Sequence, residues 1–220
     1  MVSNRHPFIA REGWLLTGIV SFFIIIACSF INYSAFFLFF TILSVLLFLY
    51  RDPVRKIPSV PLGVVSPVDG VITVIEQAIE PYLGRSVMKI SINMHHYGVF
   101  SVRSPLEGRI LHQWLPGSER HPQTTHYGLH VQTDEGDDVI WAVDTNSWHQ
   151  LKCYMQPGER MGHGQRFGFI LFGKKVDIYL PLHCRIQVGI GDHVKSGSDI
   201  IATIIHNRAV HIHSMDDVRS

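Results

Sequence analysis

The chain divides into an uncharged apolar segment near its N-terminus and a longer part in which short apolar runs alternate with Gly, Pro and polar residues. The uncharged segment extends from Trp14 to Tyr50. As a single helix it would be about 55 Å long, well beyond a hydrocarbon core of about 30 Å. The polar cluster Asn32-Tyr33-Ser34 lies near its middle. The pattern therefore predicts two short helices joined by a tight turn, each near the lower length limit for crossing a bilayer.

Basic residues flank this segment on both sides, namely Arg5, Arg11, Arg51, Arg55 and Lys56. The positive-inside rule then places both ends of the segment in the cytoplasm. A secretory signal peptide is the alternative, but its apolar core would be shorter and followed by a small-residue cleavage site. We therefore predict a transmembrane or re-entrant helical hairpin over residues 1–50, held in the cell membrane, with the rest of the chain on the cytoplasmic side.

After residue 50 the apolar runs are short, several alternate with period two, and none continues as a helical stripe beyond two turns. The runs expected to form strands are 63–65, 71–75, 87–92, 108–111, 129–132, 138–143, 167–172 and 176–180. The stretch from Cys184 to Ile204 is predicted to form two strands around a G-D-x-V-x-x-G turn, a pattern common in small barrel-sandwich domains. The sequence thus predicts a mainly β domain over residues 51–205, followed by a polar tail over 206–220.

Composition narrows the classes of function. The chain has 19 Lys and Arg against 18 Asp and Glu, so no global basic field would attract nucleic acid. Its 3 cysteines are scattered without a C-x-x-C pair, which argues against a disulfide framework or a zinc ribbon and favours a reducing compartment. The 14 histidines show no recognised ligand spacing, so no metal site is expected.

Several short motifs follow one another in a fixed order along the chain. They are Arg11-Glu12-Gly13-Trp14, Arg51-Asp52-Pro53, Ser66-Pro67-Val68-Asp69-Gly70, Arg103-Ser104-Pro105, Gly164-Gln165-Arg166-Phe167-Gly168 and Val176-Asp177-Ile178-Tyr179-Leu180-Pro181. Taken alone, Asp69 is most simply a turn residue. Taken together, the motifs resemble the short, membrane-associated phosphatidylserine decarboxylase proenzymes, from about Arg11 to Ala202.

This resemblance implies a proenzyme that cleaves its own backbone at a Gly-Ser bond, where the serine becomes a pyruvoyl group. That group forms a Schiff base with phosphatidylserine, and loss of carbon dioxide gives phosphatidylethanolamine. The family associates an Asp in a P-x-D-G turn and a His in a V-H-x-N-R segment with self-cleavage and proton transfer. By this resemblance, Asp69 corresponds to the Asp of the P-x-D-G turn.

The other reactive positions differ in this chain. Phe100 stands where the His belongs, and Lys174 follows Gly173 where the pyruvoyl-forming serine belongs. Lys174 has no hydroxyl on its β-carbon, so it can form neither the ester nor the dehydroalanine that leads to pyruvoyl. Phe100 cannot transfer a proton. The family's Arg103 is kept, whereas its A-R-R-I segment has become Trp148-His149-Gln150-Leu151.

The residues therefore favour a decarboxylase-like membrane protein that does not process itself and needs no cofactor. Its expected partner is membrane phospholipid, or a related decarboxylase subunit, and not nucleic acid. The alternative is an active phosphatidylserine decarboxylase with a pyruvoyl group made at another Gly-Ser bond, Gly117-Ser118 or Gly197-Ser198. The resemblance also leads us to expect that Asp69 and Lys174 lie close together and form an ion pair.

Overall fold

The computed structural model describes residues 9–29, 33–115, 126–144, 151–171 and 173–205. A 3-10 turn, Arg11–Gly13, leads into helix α1 (Trp14–Ser29), and helix α2 (Tyr33–Leu49) packs along it. The ring of Phe23 stacks on that of Phe39, with centroids 5.4 Å apart. Two apolar helices are thus present as predicted. Tyr33 already belongs to α2, and Asn32 of the predicted turn lies outside the described residues.

Both helices lack charged residues and leave large apolar side chains uncovered, such as Leu15, Phe22 and Phe37. By length and composition Arg11–Ser29 could cross a membrane, whereas Tyr33–Leu49 is a shorter apolar helix. A helix that is apolar all round needs an apolar environment to cover it. The N-terminal helices therefore indicate membrane association.

The rest of the described chain is built from short strands. They are β1 (Gly63–Val65), β2 (Gly70–Ile79), β3 (Ser86–Met94), β4 (Ser101–Arg103), β5 (Gly108–Trp114), β6 (His126–Gln132), β7 (Asp138–Asp144), β8 (Lys152–Cys153), β9 (Arg160–Met161), β10 (Arg166–Phe169), β11 (Lys175–Leu180), β12 (Cys184–Ile186), β13 (His193–Val194) and β14 (Ile200–Ile204). The largest sheet has the order β13-β2-β3-β11-β7-β6-β5-β9, and two smaller sheets have the orders β1-β14-β12 and β4-β10-β8. The predicted mainly β domain is confirmed.

The core lies on the inner face of the largest sheet. Along β11, Val176, Ile178 and Leu180 are fully buried, whereas Asp177 between them is partly exposed and pairs with Lys175. This period-two alternation is that of a strand with one face on the core and one on solvent.

The stretch from Cys184 to Ile204 differs from the prediction of two strands. β12 pairs with β14 in a small sheet, whereas β13 between them pairs with β2 in the large sheet. The backbone amide of Gly191, at a positive φ of 95°, donates a 2.8 Å hydrogen bond to the carbonyl of Ile72. This contact draws the turn onto β2, so the turn carries a short strand of its own.

Candidate functional site

The P-x-D-G turn holds Asp69 at one end of the largest sheet, immediately before β2. Ser66 closes the turn by donating from its hydroxyl to the carbonyl of Val68 at 2.7 Å. A Cβ on Gly70 would lie 2.3 Å from the carbonyl oxygen of Asn93, so only glycine lets β2 approach β3 this closely. The turn sequence therefore fixes the backbone on both sides of Asp69.

The carboxylate of Asp69 is almost completely enclosed, with 9% of the residue exposed. Oδ1 accepts a 2.7 Å hydrogen bond from the amide of Ser196. Oδ2 accepts from the amide of Val99 at 3.2 Å and from Nη2 of Arg55 at 2.7 Å. We call this group of four residues the Asp69 clamp. Three of roughly four acceptor positions on the carboxylate are thus occupied by donors from this chain.

Lys174 and Asp69 lie on the two sides of the C-terminal end of β3. The amide of Met94 donates to the carbonyl of Lys174 at 2.9 Å, and the next amide, that of His95, donates to the carbonyl of Asp69 at 3.1 Å. Two interstrand spacings separate the flanking strands, so the two backbones are about 10 Å apart. The structure thus brings these two sequence positions to the same end of the sheet.

Gly173 is buried directly before Lys174. A Cβ at this position would lie 2.4 Å from the sulfur of Met94, so the backbone here packs too closely for a larger residue without movement of Met94. The side chain of Lys174, by contrast, is exposed. The close packing at Gly173 is kept even though the next residue bears no hydroxyl.

The prediction that Asp69 and Lys174 form an ion pair is wrong. The cationic partner of Asp69 is Arg55, and Lys174 forms no ion pair within the described part of the chain. Arg55 reaches the carboxylate because residues 51–58 pass across this end of the domain after the second helix. The sequence pattern indicated Arg55 only as one of the basic residues that flank the apolar segment, and it gave no sign that Arg55 binds Asp69.

Phe100 is adjacent to the clamp but faces an apolar environment. It is 1% exposed and packs with Ala10 and Phe169 in a small cluster bordered by Leu49 and Tyr50. The rings of Phe100 and Phe169 meet edge to face with centroids 6.3 Å apart. The position therefore joins the end of the helical hairpin to the β domain and offers no group that transfers a proton.

A network of buried charges next to this cluster escaped the sequence reasoning. Arg103 Nη2 lies 3.0 Å from Oδ1 of the fully buried Asp52, whose Oδ2 lies 3.2 Å from Nη1 of Arg166. Arg166 Nη2 in turn contacts both carboxylate oxygens of Glu12, at 2.8 and 3.0 Å. All four residues belong to the motifs on which the family resemblance rests. Their presence in those motifs was the only sequence signal that could have indicated a shared network. Mutual pairing is what makes four buried charges tolerable.

Of the two remaining Gly-Ser bonds, Gly197-Ser198 lies in a tight turn. Gly197 adopts a positive φ of 71°, and a Cβ there would lie 2.6 Å from Cδ of Arg103. Its amide donates a 2.7 Å hydrogen bond to the carbonyl of Ser66, as expected of a turn glycine. Gly117-Ser118, the segment 148–150 and the tail 206–220 lie outside the described residues.

A cavity of about 190 Å³ lies away from the Asp69 clamp, where His163 meets Gly63, Glu107 and Asp134. Burial lowers the pKa of His163 below its ordinary value, although Glu107 and the carbonyl of Gly63 act in the opposite direction. Nε2 of His163 is buried without a hydrogen-bond partner among the described residues. In that same part of the chain, no group of three or more His, Cys, Asp or Glu is arranged to hold a metal ion.

Comparison with protein families gives one match over most of the chain. The model of the family described as phosphatidylserine decarboxylase matches residues 43–202, a range that includes Asp69, Phe100 and Lys174. Similar curated proteins are named phosphatidylserine decarboxylase proenzymes. The one from Nitrosomonas eutropha is 37% identical over 207 residues, covering 90% of this chain and 95% of its own. The one from Burkholderia lata is 35% identical over 209 residues, covering 90% of this chain and 97% of its own.

Among solved structures, the glucose permease IIA from Mycoplasma capricolum is similar to part of the chain. The TM-score is 0.43 at 16% identity, and the match covers 64% of this chain and 94% of that protein. A similarity at this level is too distant to indicate a shared function.

Proposed function

Because the chain belongs to the phosphatidylserine decarboxylase family, we propose that it is a membrane-anchored member that stays a single uncut chain and binds phospholipid headgroups without decarboxylating them. The observation that carries the proposal is Lys174, which follows Gly173 where the self-cleaving serine of the family stands. Phe100 supports it, because its side chain offers no base where the family has a histidine.

The residues present do not fit the formation of a pyruvoyl group. Self-cleavage requires a hydroxyl or thiol on the β-carbon, first to take the acyl group and then to leave by β-elimination. The β-carbon of Lys174 carries only the next methylene of its side chain. Nor can the Lys174 amine take over the role of a carbonyl, since it would need a carbonyl substrate to form a Schiff base and phosphatidylserine offers another amine.

Headgroup binding is supported by the charge that replaces the serine. The exposed ammonium of Lys174 has no ion-pair partner among the described residues, so it is available to a lipid phosphate. The apolar helices α1 and α2 would hold the domain at the lipid surface, and their basic flanks favour a cytoplasmic position. Binding of a related decarboxylase subunit is the other role open to an uncut chain.

The mass of the intact protein tests the first part of the proposal. We expect the full chain, purified from membranes, to give one species at 25.0 kDa. The proenzyme from Nitrosomonas eutropha, expressed in parallel, is the control for processing under the same conditions. Two fragments with a pyruvoyl group at the start of the smaller one would overturn the proposal and establish an active decarboxylase.

Retention of lipid tests the second part. We expect native mass spectrometry of the detergent-solubilised chain to show bound phospholipid, and Lys174→Ala to retain less of it. Arg109→Ala, which removes an exposed cation at the opposite end of the sheet, is the matched control. Equal lipid retention by the two variants would contradict a headgroup contact at Lys174.

A further inference from the structure

Residues 51–58, here called the strap, connect the helical hairpin to the β domain and are fixed at several points. Asp52 bridges Arg103 and Arg166, and Arg55 binds Asp69. Near the end of the strap, Ile57 packs so closely on Gly164 that a Cβ there would lie 2.8 Å from the isoleucine side chain. Because buried ion pairs and packing fix the strap to the domain, the same face of the domain always lies next to the end of the hairpin.

Arg51 identifies that face. Its guanidinium lies 4.1 Å from the centroid of the Phe48 ring, in the last turn of α2. Through Nη2 the same guanidinium donates a 2.6 Å hydrogen bond to the carbonyl of Tyr97. A single side chain thus joins the apolar helix to the loop 95–98, which follows β3. The loop lies level with the last turn of the helix, and Tyr97 is 79% exposed there.

Unpaired positive charge surrounds this loop. Lys56, Lys174 and Lys195 are exposed. Lys56 follows Arg55 and Lys195 precedes Ser196, and both of these neighbours bind Asp69. The carbonyl of Lys174 accepts a hydrogen bond from the amide of Met94. The carboxylates of Asp192 and Asp199 lie in the same region, and each accepts a backbone amide, from Gly189 and Lys195 respectively. The buried carboxylates Asp52 and Asp69 are neutralised by arginines.

The opposite end of the sheet carries charges of both signs, including Arg85, Arg109 and Arg160. The turn between β6 and β7 contains three carboxylates, those of Asp134, Glu135 and Asp137, and Asp138 follows as the first residue of β7. Asp134 pairs with Arg160, and Asp138 pairs with Arg85. This turn lies about 30 Å from the clamp, the length of the long strands. The three exposed lysines around the loop 95–98 favour contact of that end of the domain with a negatively charged surface.

We propose that the loop 95–98 and the exposed lysines around it form a lipid-contact surface that rests on the headgroups of an anionic phospholipid bilayer, with Tyr97 in the interfacial layer. Tyr97 supplies the apolar body and polar tip that suit this layer, and the lysines supply charge complementarity. The inference rests on the membrane anchoring included in the proposed function, and it adds which face of the domain touches the lipid.

Site-specific photocrosslinking tests this surface in the full chain. Tyr97 is replaced by the photoreactive residue p-benzoylphenylalanine, and the protein is reconstituted into vesicles of phosphatidylcholine with or without phosphatidylglycerol. The matched control carries the same residue at Ile79, which is 73% exposed at the far end of β2. We expect a phospholipid adduct by mass spectrometry at position 97, at least fivefold above position 79, and more of it with phosphatidylglycerol present.

Two arginine substitutions give a second readout. Arg51→Ala removes the link between Phe48 and the loop and should reduce the adduct at position 97 severalfold. Arg85→Ala, which removes an exposed pair with Asp138 at the opposite end of the sheet, should leave the adduct at position 97 unchanged. Equal adducts at positions 97 and 79, or a crosslink from 97 to a second copy of the chain, would overturn the inference.

Resistance of the protein to carbonate extraction separates this inference from its premise. If the chain stays in the vesicles but position 97 gives no lipid adduct, the anchor holds and the lipid-contact surface is wrong. If the chain is extracted from the vesicles by carbonate, the membrane anchoring fails, and the inference that rests on it fails as well.

Discussion

At the scale of single residues, the structure gives Asp69 a role that needs no chemistry. Its carboxylate ties together the P-x-D-G turn, the strap through Arg55, and the backbone at Val99 and Ser196. These contacts stabilise the fold whether or not the chain is active. The presence of Asp69 is therefore no measure of activity in this chain.

The pair of Arg55 and Asp69 should be energetically coupled. We expect Asp69→Ala to lower the free energy of unfolding by on the order of 3 kcal/mol, because it leaves a half-buried guanidinium and two amides without their acceptor. Arg55→Ala should also destabilise, and the double variant should lose about 1–3 kcal/mol less than the sum. Urea unfolding measures the cycle. Lys174→Ala is the control, with an expected change within about 0.5 kcal/mol; additive losses for Arg55 and Asp69 would contradict the clamp.

Restoring self-cleavage should take more than one change. We expect Lys174→Ser alone to give little cleavage, and Lys174→Ser with Phe100→His to give more, because the hydroxyl needs a base that can accept its proton. Denaturing gels and intact mass report the products. Lys174→Ala with Phe100→His controls for cleavage that does not use the hydroxyl. Efficient processing of the single serine variant would show that Phe100 does not occupy a required position.

At the scale of elements, local pattern predicted most of the strands. The alternating run 176–180 became β11, and the run 87–92 became the centre of β3. Short strands such as β4 and β13 were missed, because a run of two or three residues shows no periodicity. These strands form only because a partner lies opposite in the fold: Phe169 pairs with Ser101 of β4, and Val71 pairs with His193 of β13. The ion pairs of the site were missed for the same reason. Nothing local to Arg55 indicates that residues 51–58 pass over Asp69.

The free energy of unfolding of the domain should depend on pH because of His163, which lies in the turn before β10. Burial lowers the pKa of His163 from its ordinary 6.5, so the unfolded chain binds the proton more readily than the folded one. The contribution of this group is present above pH 6.5 and is lost as the pH falls below that value. We expect His163→Gln to reduce the loss of unfolding free energy between pH 7 and about pH 5, measured by urea titration.

A nearby substitution without a titrating group separates this effect from damage to the turn. Gln165 accepts a hydrogen bond from the amide of Gly162 at 2.8 Å, so Gln165→Ala weakens the same turn. It should lower stability by a similar amount at both pH values. An unchanged pH dependence in His163→Gln would rule out His163 as its source.

At the scale of the whole molecule, the hairpin and the β domain share an interface. The ring of Tyr50 stacks on Phe169 with centroids 5.5 Å apart, and Glu12 pairs with Arg166. The main core of buried residues nevertheless begins at Val64 and includes nothing from the hairpin. The boundary at residue 50 therefore stays a prediction, and contacts cross it.

Deletion of residues 1–50 tests this division. We expect the fragment to fold and to stay in the supernatant when membranes are pelleted in high salt, since its core is intact. It should unfold at lower urea than the full chain in mild detergent, because Phe100 and Phe169 lose their cover and Arg166 loses Glu12. A fragment that sediments with membranes under these conditions would place the anchor elsewhere in the chain.

The pairing of Glu12 with Arg166 also sets an order of events during synthesis. The two residues are 154 positions apart, and the first stands before the hairpin while the second lies deep in the domain. At 5–20 residues per second, Arg166 is made roughly 8–30 s after Glu12. The hairpin is therefore complete while Glu12 still lacks its arginine partner. The ion pairs of Arg166 with Glu12 and Asp52 can form only late in synthesis, and their formation joins the β domain to the segments on both sides of the hairpin.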